Sequence, residues 1–193
     1  MDPATMDLTT KDTETMEPET ITLLLEKCTE FITNYCLAMK DTGINGVVLA
    51  EPAAGLISNE DCSLYSSKYV KQIIDKVQDD NFMVILHNCG NTGHCTEAML
   101  ETGAMAYHFG NKADMVEILG QCPADVLVMG NLDPVGLFKM SSSDEVEQAT
   151  LAMLNATSEY PNYIISTGCD VPPEIPLKNI EAFYAALNQY NTK

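Results

Sequence analysis

The sequence predicts an α/β fold, a parallel sheet joined by crossover helices, and three observations carry that prediction. Short continuous apolar runs alternate with longer stretches whose apolar residues recur at three and four. Glycine or proline punctuates most of the junctions. Each strand also runs into a polar or glycine-bearing segment: Glu51-Pro52, His87 to Asn91, His108 to Asn111, Gly130 to Asp133 and Thr167 to Asp170. The alternation alone would also fit an open doubly wound sheet. The chemistry gathered at the strand ends favours a barrel-type arrangement, because (β/α)₈ barrels build their sites there.

In chain order, residues 1–17 are polar and acidic without an apolar period and are expected to be a poorly ordered lead-in. From Pro18 to about Lys40, Leu24, Cys28, Phe31, Ile32, Tyr35 and Met39 recur at helical spacing, and Gly43 stops the helix. The buried strand Gly46–Ala50 follows, then a glycine-containing loop and a helix over roughly 60–78. The next strand, Met83 to Leu86, reads as buried on both faces. It delivers His87 and Cys89 to its mouth, two apart and so on one side of an extended chain. Asn91-Thr92 can cap a helix from about 93 to 102 that Gly103 ends. A short strand spans 104–109 and a helix 112–119. A strand spans 125–129, and Ser143-Asp144 open a helix to about 158. A strand spans 163–166, and a helix over 177–190 closes the chain. Five strands and six helices result. No repeat or linker interrupts them, so residues 18–193 are expected to be a single domain.

The chain has 193 residues, 46% hydrophobic and 20% charged, a globular composition large enough for a sizeable core. Ten Lys and Arg face 28 Asp and Glu, a net charge of −18. So acidic a chain repels phosphate backbones, which argues against nucleic acid and anionic membranes as partners. Seven cysteines, odd in number and scattered through apolar runs, point to free thiols in a reducing cytoplasm. The N-terminal stretch has neither the basic flank nor the apolar core of a signal peptide, and no run reaches the roughly 20 apolar residues of a membrane span.

The chemistry centres on His87, Cys89 and Cys169. One imidazole and two thiolates from separate strand ends form a catalytic-type zinc set with a fourth position open. Their separation along the chain leaves open the plainer reading, that both cysteines are small buried residues. Glu51, His108, Asn131 and Asp133 are weaker candidates for substrate contact. His108 could also approach a metal as fourth ligand or bond to a ligand from behind. His94-Cys95 looks like a second metal pair, although its neighbours suggest an exposed helical turn. Cys28, Cys36, Cys62 and Cys122 are assigned to packing.

These residues carry a resemblance. The His87-Asn88-Cys89-Gly90-Asn91-Thr92 segment, the Gly130-Asn131-Leu132-Asp133-Pro134 turn and the run from Ser166 through Cys169 to Ile180 resemble the uroporphyrinogen decarboxylase superfamily. Within it they are similar to the zinc-dependent methylcobalamin:coenzyme M methyltransferase branch, as is Glu51-Pro52-Ala53-Ala54-Gly55-Leu56-Ile57-Ser58. The resemblance runs from about residue 18 to the end. It implies a (β/α)₈ TIM barrel, zinc on His87, Cys89 and Cys169, and methyl transfer from methylcobalamin on a partner corrinoid protein to a small thiol such as coenzyme M. The metal triad argues against uroporphyrinogen as substrate. The related cobalamin-independent methionine synthase has a zinc-binding Glu in a region that falls near Asn111 here, where no carboxylate stands.

The resemblance covers only the last five of the barrel's eight strands. Five strands do not close such a barrel, and their exposed edges call for cover, which predicts a homodimer or higher oligomer. Two other functions stay open: a non-catalytic zinc- or corrinoid-binding fragment, and a decarboxylase-like protein without metal.

Overall fold

The alternation of side chains along each strand decides which face of the sheet is packed. The computed structural model describes residues 18–192; the expected lead-in over 1–17 lies outside the described residues. Within them run α1 (Pro18–Asp41), β1 (Gly46–Ala50), α2 (Asn59–Cys62), α3 (Lys68–Val77), β2 (Met83–Asn88), α4 (Thr96–Leu100), β3 (Ala106–Phe109), α5 (Met115–Gln121), β4 (Leu127–Leu132), α6 (Ser143–Ala156), β5 (Tyr163–Thr167) and α7 (Leu177–Asn191). The five strands form one parallel sheet in the order β1-β2-β3-β4-β5. That unreversed order is the winding of a (β/α)₈ barrel; a doubly wound sheet needs a point where the order turns back. The fold is therefore α/β, five strands of a partial TIM barrel with flanking helices.

One face of the sheet is the core. Val84 and Leu86 of β2, Tyr107 and Phe109 of β3 and Val128 of β4 pack against Val70, Ile73, Ile74 and Val77 of α3, Met99 of α4 and Ile118 and Leu119 of α5. The opposite face carries the alternate residues. Register places Ala50, His87, His108, Met129 and Ile164 in one row across all five strands. Below that row Ile85 is half-buried and Val48 is 62% exposed. The expectation that β2 is buried on both faces therefore holds for the helix side only.

Several boundaries differ from the sequence reading, each for a local reason. The helix expected over 60–78 is divided by a wide π turn, Ser63–Ser67, between α2 and α3. The helix expected from 93 starts at Thr96, because Asn91 Oδ1 accepts the backbone N–H groups of Gly93 (2.8 Å) and Cys95 (3.0 Å) and holds a turn there first. β4 runs three residues past Met129, so Asn131 is a strand residue rather than part of a loop at the mouth. α1 packs through Thr29, Thr33 and Cys36, whose hydroxyls at 29 and 33 donate to carbonyls one turn back at 2.7 Å. Leu24, Phe31, Tyr35 and Cys28 of the expected stripe face outward, Phe31 at 70% exposure. Assigning Cys28 to packing is thus corrected. Cys36 and Cys62 are buried, and Cys122 packs partly buried against the core.

Candidate metal centre

The strand ends deliver a short list of side chains to one place. His87 stands on the inner face of β2, in line with His108 of β3. Asn88 points the other way, fully buried, and its Oδ1 accepts the backbone N–H groups of Gly90 and Asn91, both at 3.0 Å. This Asx turn ends the strand and brings Cys89 round to the side of His87. Cys169 follows the end of β5. One nitrogen of His87 and the Sγ atoms of Cys89 and Cys169 lie within 4.8 Å of one another. Both thiols are half-buried and free, and His87 is 7% exposed.

Close backbone approach makes this convergence possible. Gly110, after β3, sits where a Cβ would come within 2.7 Å of the Cys89 carbonyl oxygen. Gly168, beside Cys169, has no room for one either: it would run into the Asn111 backbone nitrogen and lie 2.9 Å from the Gly110 carbonyl carbon. The loops after β2, β3 and β5 are thus stacked main chain on main chain.

The two histidines are bonded to each other. His87 Nδ1 is 2.7 Å from His108 Nδ1 and 3.1 Å from the His108 carbonyl oxygen. His108 Nε2 is 2.8 Å from the Thr167 carbonyl oxygen and 3.0 Å from Ser166 Oγ. Burial, reinforced by the neighbouring His87, pushes His108 below the usual histidine range, which favours a neutral ring. The remaining nitrogen of His87, Nε2, is buried with no hydrogen-bond partner. A buried ring nitrogen with no protein group to satisfy it, on a histidine that comes within 4.8 Å of two thiols, fits a cation; imidazole nitrogen and two sulfurs are the donor set zinc prefers.

A cavity of about 580 Å³ opens in front of these atoms on the inner face, with Val48, Ile85, Met129 and Val171 as its apolar walls and Asp170 at its edge. Four of the seven candidate residues line it: His87, Cys89, His108 and Cys169. The other three stand elsewhere. Asn131 is buried and donates both amide hydrogens to the Gly110 and Ala113 carbonyls at 3.0 and 2.6 Å, tying β4 to the preceding loop. Asp133 closes its own turn, accepting from Val135 N–H (2.9 Å) and Gly136 N–H (2.8 Å). Glu51 accepts from Ser66 Oγ in a second cavity of about 460 Å³, lined by Leu49, Val70 and Ile73 among others. Neither does His108 offer a free nitrogen as fourth ligand, since both are engaged.

The second suspected metal pair also dissolves. Cys95 is buried rather than on an exposed turn, its thiol 3.5 Å from the Ile57 carbonyl oxygen, and exposed His94 bonds to that same carbonyl at 3.2 Å. Neighbouring Cys62 is pushed up to about 11, first by burial and then by Cys95. Sequence reasoning missed Ser166 and Thr167 as partners of His108. A polar Ser two positions along from the apolar Ile164 on the same strand face was the available signal.

Gly168→Ala is expected to keep the far-UV circular dichroism of a folded chain but weaken zinc binding about tenfold or more in chelator competition, because Cys169 is displaced. Unchanged affinity would contradict the stacked-loop account. Glu51 gives a pH test. Burial raises its carboxyl, with the Ser66 bond opposing, so the folded state holds the proton more tightly and loses stability as pH rises through the unfolded-state value of about 4.3. Glu51→Gln should therefore melt a few degrees higher than the parent at pH 7, the gap closing toward about pH 4.

The chain is similar to several known proteins. The chain is 28% identical over 169 residues to the methylcobamide:CoM methyltransferase MtbA of Methanosarcina mazei (strain ATCC BAA-159), covering 86% of this chain and 48% of that protein. It is 25% identical over 174 residues to the MtbA of Methanosarcina acetivorans, covering 89% and 50%. It is 30% identical over 174 residues to the uroporphyrinogen decarboxylase of Synechococcus sp. (strain CC9605), covering 88% and 48%. The chain thus spans about half the length of these relatives. A solved methyltransferase from Methanosarcina mazei shares the fold with a TM-score of 0.74 at 20% identity, over 84% of this chain and 47% of that one. The family model described as uroporphyrinogen decarboxylase (URO-D) matches residues 5–190, and the chain belongs to that family.

Proposed function

We propose that the chain forms the zinc-holding part of a methyltransferase that moves a methyl group from a corrinoid protein to a small thiol such as coenzyme M, in the cytoplasm. The observation that carries this reading is the buried His87 ring, one nitrogen of which lies within 4.8 Å of the thiols of Cys89 and Cys169 and whose Nε2 has no partner. The similarity to MtbA proteins favours methyl transfer over decarboxylation.

His87, Cys89 and Cys169 would hold the zinc, and three protein ligands leave one position for substrate. Bound zinc supplies the Lewis acidity that keeps an incoming thiol deprotonated at neutral pH. The chain's own part is positional. The Asx turn at Asn88 and the glycine contacts at 110 and 168 fix both cysteines. The apolar walls Val48, Ile85, Met129 and Val171 would leave an incoming thiol few polar contacts other than the site itself. A transfer of this kind would balance with the thiol proton lost to solvent, the methyl group bonded to sulfur and the electron pair of the broken bond left with the corrinoid donor.

Among the described residues no helix is long and apolar enough to cross a membrane. The exposed inner face and the free edges of β1 and β5 support association of two or more copies. Light scattering should return at least a dimer; a clean monomer would contradict that.

The direct test is metal content together with transfer. The purified chain is expected to carry one zinc and to methylate coenzyme M from methylcobalamin, and Cys89→Ser should abolish the transfer. One zinc without transfer would instead favour a non-catalytic binding fragment. No zinc would remove the account and favour the metal-free, decarboxylase-like alternative.

A further inference from the structure

We infer that His108 is a positioning residue: its ring fixes His87 in the tautomer that carries hydrogen on Nδ1, so that only the Nε2 lone pair faces the two thiols. The inference rests on the zinc reading of the site and adds a residue that the metal-binding triad does not contain.

The polarity of the bonds follows from which atoms can only accept. A carbonyl oxygen has no hydrogen to give. The Thr167 carbonyl, 2.8 Å from His108 Nε2, therefore requires hydrogen on that nitrogen. Ser166 Oγ donates to the same carbonyl at 3.0 Å, so toward His108 it too can only accept. Two N–H groups cannot face each other across 2.7 Å, and His87 Nδ1 also faces the His108 carbonyl, so the lone pair in this contact is that of His108 Nδ1. The 2.7 Å contact between the two Nδ1 atoms then needs its hydrogen from His87. A second contact demands the same: His87 Nδ1 is 3.1 Å from the His108 carbonyl oxygen, again an acceptor only. Hydrogen on His87 Nδ1 leaves its Nε2 as a bare lone pair, and that is the buried atom without a partner.

The donors thus run one way, from His87 through His108 to the carbonyl at the end of β5, two residues before Cys169. The bonds orient the β2 ligand against the strand that leads to the β5 ligand. Metal-bound histidines commonly use a carboxylate or carbonyl in this supporting place. Here a neutral imidazole fills it alongside a carbonyl, so the support orients the ligand without adding negative charge.

The chain has three histidines, which makes the test tractable. Long-range ¹H–¹⁵N correlation on metal-free, reduced, ¹⁵N-labelled protein should show His87 protonated at Nδ1 and His108 at Nε2. In His108→Ala, where the backbone carbonyl alone is left to hold hydrogen on Nδ1, the His87 signals should report a smaller share of that tautomer, and zinc affinity in chelator competition should fall about 10- to 100-fold. His108→Asn, which keeps an acceptor oxygen close to His87 Nδ1, should recover part of that loss. Hydrogen on His87 Nε2 in the metal-free parent overturns the inference, and this measurement stands even where the alanine variant fails to fold. Parent-like zinc affinity in a folded His108→Ala overturns it as well. A parent chain that binds no zinc overturns the reading beneath it, an outcome distinct from both.

Discussion

The structure depends on how closely the loops after β2, β3 and β5 approach one another. Two sulfurs and an imidazole nitrogen come within 4.8 Å from widely separated parts of the chain. Side chains alone do not secure such a meeting, because both cysteines stand on loops after their strands. The main chain of one loop lies directly on the next, at Gly110 against Cys89 and at Gly168 against Asn111, and a single added carbon would part them. Asn88 contributes from within by accepting two backbone N–H groups from its buried side chain. The rim is thus set by backbone packing before any ion is considered, as expected of a site whose ligands must be held ready.

The two faces of the sheet divide the labour. Val84, Leu86, Tyr107, Phe109 and Val128 give the helix-facing side a dense core, and that side anchors the strand positions. The other side carries Val48 and Ile85 beneath the histidine row and Met129 within it, and remains partly open. In a closed barrel this face is interior, filled from all eight strands. The candidate site stands at the upper edge of the open face, where apolar walls meet polar strand ends.

Much of this was legible in the sequence. Apolar runs and glycine stops located all five strands, and the polar strand ends pointed to the rim. His87 and Cys89 were found by their spacing of two, and Cys169 by its equivalent place after β5. What the sequence did not reveal was decided mainly by contacts distant along the chain. Asn131 looks like a mouth residue, yet β4 continues through it and its amide reaches back to the Gly110 and Ala113 carbonyls, while Asp133 Oδ1 is taken up by its own turn. Glu51 adjoins a strand end but meets Ser66, which the π turn presents to it. The outward Phe31 and Tyr35 of α1 show that apolar spacing marks a stripe without saying whether it is covered. His108 was visible as a polar strand end; its bonds to His87 and to the end of β5 emerge only when β3 lies between β2 and β4.

The account turns on three protein atoms sharing one cation, and X-ray absorption at the zinc edge of the purified protein counts those atoms directly. The account predicts two sulfur scatterers at about 2.3 Å with nitrogen at about 2.0 Å. A shell of nitrogen and oxygen alone, or a spectrum of loosely held aqueous zinc, would contradict it.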